Sequence, residues 1–598
     1  MKTINYCALL LASWALAGCS PSAAISCADP ISSISKIQGT GPISADVGKQ
    51  VVTRGIVTAD WRQPAQLGGF FIQSLPADSD DSDSSSEGLF IAYNSMQPTL
   101  SVGDIVTVQG LVSEANQQTQ LEHLTHIEVC GSSEVPKPVE LRLPVASVGV
   151  FESLEGMLVE FPQELVINGH YQLQRFGELV VSHERLFTPT QKVRGSAEVA
   201  ALLATYQRQR LIIDDNSTLQ YPAVIPFPTP QLTAANPIRS GDTLVQVTGH
   251  ISEFNGDYKV QPQLPMVIAH RNPRPQPPAP PAVEHLRVSS FNVLNYFNGD
   301  GGENGFPTSR GAESVAELAR QQAKIVAAMQ ALNADIIGVM EIENDGYGND
   351  SAIAQLTAAL AVASGHPWRF IQAGERQLGS DQITNGLLYR ADRVSPAGDA
   401  MVLTSKPFDW GSRPPLAQAF NFQQQTDATV TVVVNHFKSK GSCPKDASNP
   451  NARQDDGMAC WNVLRTESAT ALADWLGSPA LTQLSNAQIV LGDFNAYAQE
   501  DPMHALAAGG YVNLMPEFAP NGYSYVYDAQ AGSLDHILVN EALGNQVVEL
   551  AYWHTNADEP RAFEYGLENK TDEQAKLWYQ PNAYRASDHD PLYIDLRW

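Results

Sequence analysis

Polar residues that can bind a metal ion or move a proton follow apolar runs in the C-terminal half of the chain. The run 489–491 leads directly to Asp493 and Asn495. Side chains two positions apart on a strand lie on the same face, so this carboxylate and this carboxamide point the same way. Oxygen groups of this kind bind Mg²⁺ or Ca²⁺, or orient an attacking water. The alternative is that both residues only cap a turn after the strand.

The same arrangement recurs at other strand edges in this half of the chain. The residues that stand directly beside apolar runs are Asn292, Glu341, Asn435, His436, Asp535, His536, Asp588 and His589. A randomly solvated edge would carry charges of every type, whereas this set holds only Asn, Glu, His and Asp. Strand edges on one side of a sheet are where α/β proteins assemble sites from distant segments. The pattern therefore favours one shared site.

The segments that must position these residues alternate between strand-like and helix-like patterns. Residues 286–294, 335–340 and 429–435 are predicted strands, while residues 314–332 and 461–476 are predicted helices. This alternation predicts an α/β fold for the C-terminal half.

The N-terminal half is predicted to be all β. From residue 29 to about residue 270, short apolar runs are separated by turn residues, which is typical of small barrels or sandwiches. A weak internal repeat relates residues 103–110 to residues 241–249 and predicts two OB-like barrels. The predicted units are residues 27–135 and 136–271, a proline-rich linker at 272–283, and a catalytic domain at 284–598.

Two features of the N-terminal half allow more than one interpretation. Phe70, Phe71, Phe90 and Tyr93 could stack on nucleic-acid bases, although a position in the core is the favoured interpretation. The acidic, serine-rich run 78–87 is interpreted as a solvated loop, with a Ca²⁺ site as the alternative.

Length and charge limit the possible functions. A chain of 598 residues is too long for one core, so several domains are expected. The net charge of −27 excludes nucleic-acid binding through bulk electrostatics. If the substrate carries phosphates, bound divalent cations and a local basic cluster must offset the repulsion.

The first residues predict export. Lys2 precedes an apolar run, residues 6–17, which is too short to span a membrane and is typical of a signal peptide. Residues 16–19, Leu-Ala-Gly-Cys, match a bacterial lipobox, so residues 1–19 are predicted to end at a lipidated Cys19; an ordinary cleavage site is the alternative. Membrane contact is then expected through the lipid anchor only.

The remaining cysteines also suit an oxidising compartment. Loss of the signal peptide and lipidation of Cys19 leave Cys27, Cys130, Cys443 and Cys460, for which three pairings are possible. The economical pairing is Cys27–Cys130 around the first domain and Cys443–Cys460 around a polar loop.

The motifs of the C-terminal half resemble a known superfamily. The ordered series FNVLN, ME, NHFKSKG, GDFNA, SLDHIL and SDHDP resembles the endonuclease/exonuclease/phosphatase (deoxyribonuclease I-like) superfamily over residues 284–598. With β-domains first and a Cys-Pro…Cys-Trp-Asn insert, the whole chain resembles the secreted nucleases of Gram-negative bacteria. The resemblance implies a four-layer α/β sandwich, two packed sheets flanked by helices, with the site at one edge.

The resemblance also implies a metal site. Glu341 matches the metal-binding Glu of the superfamily, Asn292 the Asn beside it, and Asp588 a residue that completes the cation's surroundings. The expected cation is Mg²⁺ or Mn²⁺, and a structural Ca²⁺ is a further candidate.

The catalytic roles follow from the same match. His589 corresponds to the catalytic His and Asp535 to the carboxylate that orients it, while His436 corresponds to the His that contacts the scissile phosphate. Asp493 and Asn495 match the pair that positions water and phosphate. Elementary chemistry agrees, because a His supported by a carboxylate can act as a general base near neutral pH.

Three basic residues are candidates for phosphate contacts. Lys438, Lys440 and Arg465 could supply local positive charge, and the alternative is a solvated basic loop.

The sequence thus predicts an exported, metal-dependent nuclease that hydrolyses phosphodiester bonds of extracellular DNA, with RNA as a further substrate. Its predicted location is the outer membrane, as a lipoprotein, or the medium around a Gram-negative bacterium, and no protein partner is predicted. One alternative is a phosphodiesterase or phosphatase acting on nucleotides or phospholipid headgroups. The other is a non-catalytic OB-type nucleic-acid-binding protein.

Overall fold

The computed structural model describes most of the chain that follows the predicted signal peptide. The described residues are 25–301, 305–374, 377–425 and 428–598. The predicted signal peptide and Cys19 lie outside them. Among the helices described, none is both long and apolar enough to cross a membrane.

The first unit is a closed barrel with the strand order β1-β2-β3-β5-β4. Its elements are α1 (Ile34–Gln38), β1 (Gln50–Trp61), β2 (Gly69–Gln73), β3 (Gly88–Ala92), β4 (Asp104–Ala115) and β5 (Gln118–Ser132). Phe70, Phe71 and Phe90 are at most 8% exposed, so the core interpretation of these rings is correct. The predicted disulfide Cys27–Cys130 is formed and ties the start of the described chain to β5.

The acidic run 78–87 forms a loop closed by its own hydrogen bonds. Asp78 pairs with Arg54 at 2.9 Å, and Glu87 accepts hydrogen bonds from Ser79 Oγ at 3.0 Å and from the Asp80 amide at 2.9 Å. These contacts favour the loop interpretation over a cation site.

The second unit is an open sheet of nine strands in the order β14-β11-β8-β9-β10-β13-β12-β7-β6. Its strands are β6 (Val139–Glu140), β7 (Leu158–Glu160), β8 (Leu165–Gly169), β9 (Leu179–Ser182), β10 (Leu211–Ile213), β11 (Thr243–Val245), β12 (Thr248–Phe254), β13 (Asp257–Pro262) and β14 (Val267–Ala269). Its helices are α2 (Gly149–Glu152), α3 (Leu173–Phe176), α4 (Pro189–Lys192) and α5 (Ser196–Gln207).

The predicted second barrel at residues 136–271 is therefore wrong. Residues 103–110 lie in or beside the continuous strand β4, whereas residues 241–249 are divided between β11 and β12. Gln246 separates these two strands with a φ of +57°, outside the strand region. Because β11 then pairs with β8 and β14 while β12 pairs with β7 and β13, the sheet extends instead of closing.

The third unit contains two six-stranded sheets with the orders β17-β18-β16-β15-β28-β27 and β19-β20-β21-β22-β26-β23. The strands are β15 (His285–Tyr296), β16 (Ile336–Glu343), β17 (Trp368–Phe370), β18 (Ile383–Arg390), β19 (Val394–Val402), β20 (Arg413–Phe422), β21 (Thr429–His436), β22 (Gln488–Asp493), β23 (Tyr511–Asn513), β24 (Tyr525–Tyr527), β25 (Gln530–Gly532), β26 (Asp535–Asn540), β27 (Val547–Tyr552) and β28 (Leu592–Arg597). Strands β24 and β25 form a separate hairpin. The predicted α/β sandwich is thus confirmed for this half of the chain.

The third unit also contains α-helices. They are α6 (Val315–Leu332), α7 (Ala352–Ser364), α8 (Asn462–Leu476), α9 (Pro479–Thr482), α10 (Asp501–Ala508), α11 (Met515–Phe518) and α12 (Asp572–Leu577). Apolar residues of α6 and α7 pack on the first sheet, and those of α8 and α10 pack on the second. Between the sheets, Gly338 allows a close approach, because a Cβ there would lie 2.5 Å from Leu491 Cδ1.

A buried ion-pair network joins the second unit to the third. Asp558 contacts Arg185 and Asn272 at 2.7 Å each, and Glu559 pairs with Arg239 and with Arg274. Burial opposes ionisation of Asp558, but Arg185 and Arg239 outweigh it and lower its pKa to about 2. The proline-rich segment is therefore docked at its start on the third unit.

Candidate active site

The predicted site residues meet where the two sheets end together. Asn292 and Glu341 come from the neighbouring parallel strands β15 and β16, in the first sheet. In the second sheet His436 and Asp493 are register partners on β21 and β22, and Asp493 in turn pairs with Asp535 on β26. Each of these residues ends or begins an apolar run, so burial of the strand brings its polar neighbour to the common edge.

Four side chains make contact across the two sheets. Asn292 Nδ2 lies 3.2 Å from Glu341 Oε1 and 3.4 Å from Asp493 Oδ2. His436 Nε2 lies 3.5 Å from Asp493 Oδ2 and 4.0 Å from Glu341 Oε1. The carboxylates therefore face one small polar volume.

A second constellation centres on His589, which precedes β28. Asp535 Oδ2 accepts a hydrogen bond from His589 Nδ1 at 2.6 Å and another from Ser524 Oγ at 2.6 Å. The Nε2 of His589 is left facing Asp493 Oδ2 at 4.0 Å. Tyr525 covers the imidazole, with ring centroids 4.6 Å apart. Asp535 thus fixes which ring nitrogen points into the site.

The two histidines have opposite electrostatic surroundings. Burial lowers the pKa of His589, but the charges of Asp535 and Asp588 outweigh it, and the net pKa lies well above its ordinary value. Burial and the charge of Arg413 hold the pKa of His436 well below its ordinary value. The surroundings of His589 therefore favour its protonated form, whereas those of His436 favour its neutral form.

Glu341 reaches the site through an irregular backbone. The φ angles of Leu294, Asn295 and Glu341 are +54°, +51° and +63°, and the pairing of β15 with β16 shifts register after Asn292. The Asn295 amide donates to Glu341 Oε2 at 3.1 Å. Left-handed backbone at non-glycine residues is costly and concentrates at functional sites.

The residues present fit a divalent cation. Burial first, and then the charge of Asp588, raise the pKa of Glu341. Burial raises the pKa of Asp493 to about 7, with Asp535 and Glu341 adding repulsion against the effect of His589. This excess of negative charge among hard oxygen atoms, on Glu341, Asp493 and Asp588 beside Asn292, is what Mg²⁺ or Mn²⁺ offsets.

Asn495 lies beside Asp493, and its side-chain NH₂ group already donates a hydrogen bond within the protein. Its amide N–H donates to Asp493 Oδ1 at 2.8 Å, and its side-chain Nδ2 donates to the Phe437 carbonyl at 3.2 Å. Asn495 therefore ties the end of β22 to the segment that follows His436.

The predicted phosphate contacts of Lys440 and Arg465 are wrong. Lys440 pairs with the buried Glu500, and Arg465 is fully buried and donates to the carbonyls of Lys438, Met458 and Cys460. The predicted Cys443–Cys460 disulfide is formed, and the loop that it closes supplies the Met458 carbonyl, which accepts hydrogen bonds from both side chains. Lys438 and Lys440 are both half-buried, and of these two only Lys440 forms an ion pair among the described residues.

Arg413, Ser524 and Tyr525 were missed by the sequence analysis. Arg413 is the register partner of His436 on β20, and its guanidinium contacts Asp381 at 3.1 Å and the Phe437 carbonyl at 3.2 Å. Only knowledge of the strand pairing could have placed Arg413 here. Ser524 and Tyr525, at the start of the β24–β25 hairpin, follow no apolar run. The pattern that identified the other site residues, a polar residue directly after an apolar run, is therefore absent here.

Fold and site together define a class of hydrolases that act on phosphoester bonds, built as a two-sheet α/β sandwich. Residues 289–589, about half of the chain, match the model of the Endonuclease/Exonuclease/phosphatase family, and the chain belongs to this family. Residues 136–271 match a separate model described as a domain of unknown function. The comparison with curated protein sequences found no match.

The comparison with solved structures found matches that cover about half of the chain. A family protein from Bacteroides thetaiotaomicron is 16% identical, with a TM-score of 0.33, over 52% of this chain and 97% of that one. The human Nocturnin catalytic domain with bound sulfate is 14% identical, with a TM-score of 0.32, over 52% and 94%. A mannosyl-6-phosphatase from Bacteroides thetaiotaomicron is 16% identical, with a TM-score of 0.33, over 52% and 100%.

Proposed function

We propose that this protein is an exported, divalent-metal-dependent nuclease that cleaves phosphodiester bonds of extracellular DNA, with RNA as a further substrate. The observation that carries the proposal is the orientation of His589. Its Nδ1 is held by Asp535 and its Nε2 faces Asp493, in the volume that Glu341, Asn292 and His436 also line. Phosphodiester hydrolysis needs these groups together: an acceptor for the proton of water, donors to phosphate, and oxygen ligands for a cation.

The metal ligands in this proposal are Glu341, Asn292 and Asp588. Asp493, Asp535 and His589 also bring ligand atoms within 4.8 Å of one another, but Asp535 and His589 are already paired with each other. When bound, the cation supplies positive charge to the phosphate oxygens in the transition state.

Proton transfer in this proposal follows the roles that the sequence predicts. His589, held by Asp535 at Nδ1, is the general base, and its Nε2 faces the volume in which the attacking water would lie. Against the effect of burial, Asp535 and Asp588 raise the pKa of His589, and the positive charge of a bound cation would oppose that rise. Asp493, which faces both imidazoles, would position that water. Neutral His436 adds a hydrogen bond from Nε2 to a phosphate oxygen.

The proposal extends to the N-terminal units and to location. A closed five-stranded barrel with a parallel β3–β5 pair supports an OB-like first unit, which would help to hold the nucleic acid. The two disulfides support export to an oxidising compartment. Lipidation of Cys19, in the outer membrane of a Gram-negative bacterium, is part of the same proposal.

Digestion of closed circular plasmid tests the activity. Purified protein lacking residues 1–19 is compared with Mg²⁺, with chelator, and as the His589→Ala variant. We expect nicking that requires both the metal and His589. A wild-type protein inert on DNA and RNA but active on nucleotides or phospholipid headgroups would replace the proposal with the phosphatase alternative, and inertness on all substrates would favour the binding protein.

A further inference from the structure

Two tryptophans form an open aromatic surface next to the candidate active site. Trp410 is 55% exposed and Trp461 is half-buried, and their ring centroids lie 5.2 Å apart at an interplanar angle of 55°. Large aromatic side chains left side by side at a protein surface mark an interaction surface.

Trp461 is held in place by the disulfide loop. It directly follows Cys460, has a left-handed backbone with φ +66°, and its Nε1 donates to the carbonyls of Gly441 and Ser442 at 3.0 and 3.2 Å. The Cys443–Cys460 bond joins the residue after Ser442 to the residue before Trp461, so it keeps the two contacting segments together. The edge of the ring that carries Nε1 is therefore fixed, and Trp461 as a whole is half-buried.

Trp410 is anchored to the strand end that carries His436. Ser412 Oγ accepts a hydrogen bond from the Lys438 amide at 3.1 Å. Gly411, between these residues, packs so tightly that a Cβ would lie 3.2 Å from Lys438 Cδ and 3.3 Å from Leu464 Cδ2. The position of Trp410 relative to the catalytic edge is thus set by close packing.

Lys438 adds a positive charge to this surface. Its Nζ lies 5.3 Å from the centre of the Trp461 ring and donates to oxygens of Ser439, at 3.0 Å to the hydroxyl. Lys440, two residues further on, is paired with Glu500, whereas Lys438 forms no ion pair with any of the described residues. Lys438 is two residues from His436, which spans at most about 7 Å of backbone.

We propose that Trp410, Trp461 and Lys438 form a subsite for the nucleotide next to the scissile phosphate of single-stranded nucleic acid. The base stacks on the tryptophan face, and Lys438 contacts the adjoining phosphate. Stacking selects single strands because a duplex covers the faces of its bases, and it tolerates any sequence because every base has such a face. The inference rests on the proposed nuclease function, since it names the substrate form of that same site.

Kinetics with two substrates tests the subsite. For Trp410→Ala we expect the KM for the single-stranded oligonucleotide dT12 to rise about tenfold relative to the KM for the small diester bis(p-nitrophenyl) phosphate. Trp410→Phe keeps an aromatic face and should restore most of the loss. Phe254→Ala removes another exposed aromatic ring, in the second unit, and serves as the matched control. Equal KM changes for both substrates, or the same change in the control, would overturn the proposal.

Direct binding separates this inference from the proposed function. The full chain carrying His589→Ala is titrated with dT12, and tryptophan fluorescence and Kd are measured with and without Trp410→Ala. Weaker binding and less quenching in the double variant support the subsite even if the wild type cleaves no nucleic acid, in which case only the nuclease proposal fails. Identical binding by the two proteins would overturn the subsite even if cleavage is robust.

Discussion

The pair formed by Asp535 and His589 allows a quantitative test of the candidate site. Asp535 Oδ2 lies 2.6 Å from His589 Nδ1, and both residues are buried. Breaking a buried charged pair by removing one partner costs about 3–5 kcal/mol. Since about 1.4 kcal/mol corresponds to a tenfold change in rate, Asp535→Asn should lower kcat by roughly 10²-fold to 4 × 10³-fold if the pair must be intact in the transition state.

A double-mutant cycle shows whether the two residues act as a unit. We expect Asp535→Asn combined with His589→Ala to be little slower than His589→Ala alone, because the carboxylate acts through the imidazole. The assay is the initial rate of plasmid nicking at saturating Mg²⁺. Asp392→Asn, which removes a half-exposed carboxylate paired with Arg390 at 2.9 Å, is the control for loss of a charge outside the site.

Two results would refute this reasoning. One is a double variant whose loss equals the product of the two single losses, which would mean that Asp535 acts independently of His589. The other is wild-type turnover by Asp535→Asn. Thermal midpoints and near-UV circular dichroism of each variant establish that lost activity is not lost folding.

Three further predictions concern metal binding, packing and pH. Glu341→Gln should raise the Mg²⁺ concentration for half-maximal activity at least tenfold, and a metal titration that matches the wild type would remove Glu341 from the ligand set. Arg465→Met should lower the free energy of unfolding by about 2–3 kcal/mol, because buried carbonyls lose their donors, while the KM for DNA stays constant; a selective rise in KM would restore the phosphate-contact role. Burial lowers the pKa of His250 to about 3, where its Nε2 lies 2.8 Å from Thr58 Oγ1. The unfolded chain therefore binds the extra proton first, and stability is lost as pH falls below the unfolded pKa of about 6.5, by about 1.4 kcal/mol per unit. Urea midpoints at pH 7 and pH 5 should differ less for His250→Phe than for the wild type, and equal differences would contradict the assignment.

Much of the third unit and of its candidate site could be predicted from local sequence patterns. The run before Asp493 and the run before His436 could each be identified as buried strands, and a polar residue at the end of a buried strand must lie at a sheet edge. The same logic found Glu341. No comparable signal exists for Arg413, because its place opposite His436 depends on which strands pair, and pairing is decided by contacts distant in sequence.

The predictions of a second barrel and of phosphate contacts by Lys440 and Arg465 were wrong. In both cases the structure depends on contacts between residues that are distant in sequence. Residues 241–249 resemble the β4 segment, but the backbone turn at Gln246 sends β11 and β12 to different partners, and a short repeat cannot reveal this. From the sequence alone, Lys440 and Arg465 could be interpreted either as phosphate contacts or as part of a solvated basic loop. Lys440 instead contacts Glu500, and both side chains contact the Met458 carbonyl, and these partners are distant enough in sequence that no local pattern reveals them.

Neither sheet of the third unit contains the site alone. Asn292 and Glu341 come from one sheet and Asp493 from the other, and Asn292 Nδ2 contacts both carboxylates, at 3.2 and 3.4 Å. The distance between these groups depends on the packing of the sheets, which is tight at Gly338 against Leu491, two residues before Asp493. The left-handed φ of Glu341 is then maintained by the surrounding core, because an isolated strand would relax it. The distances between the residues of the candidate site therefore depend on the packing of the core between the two sheets.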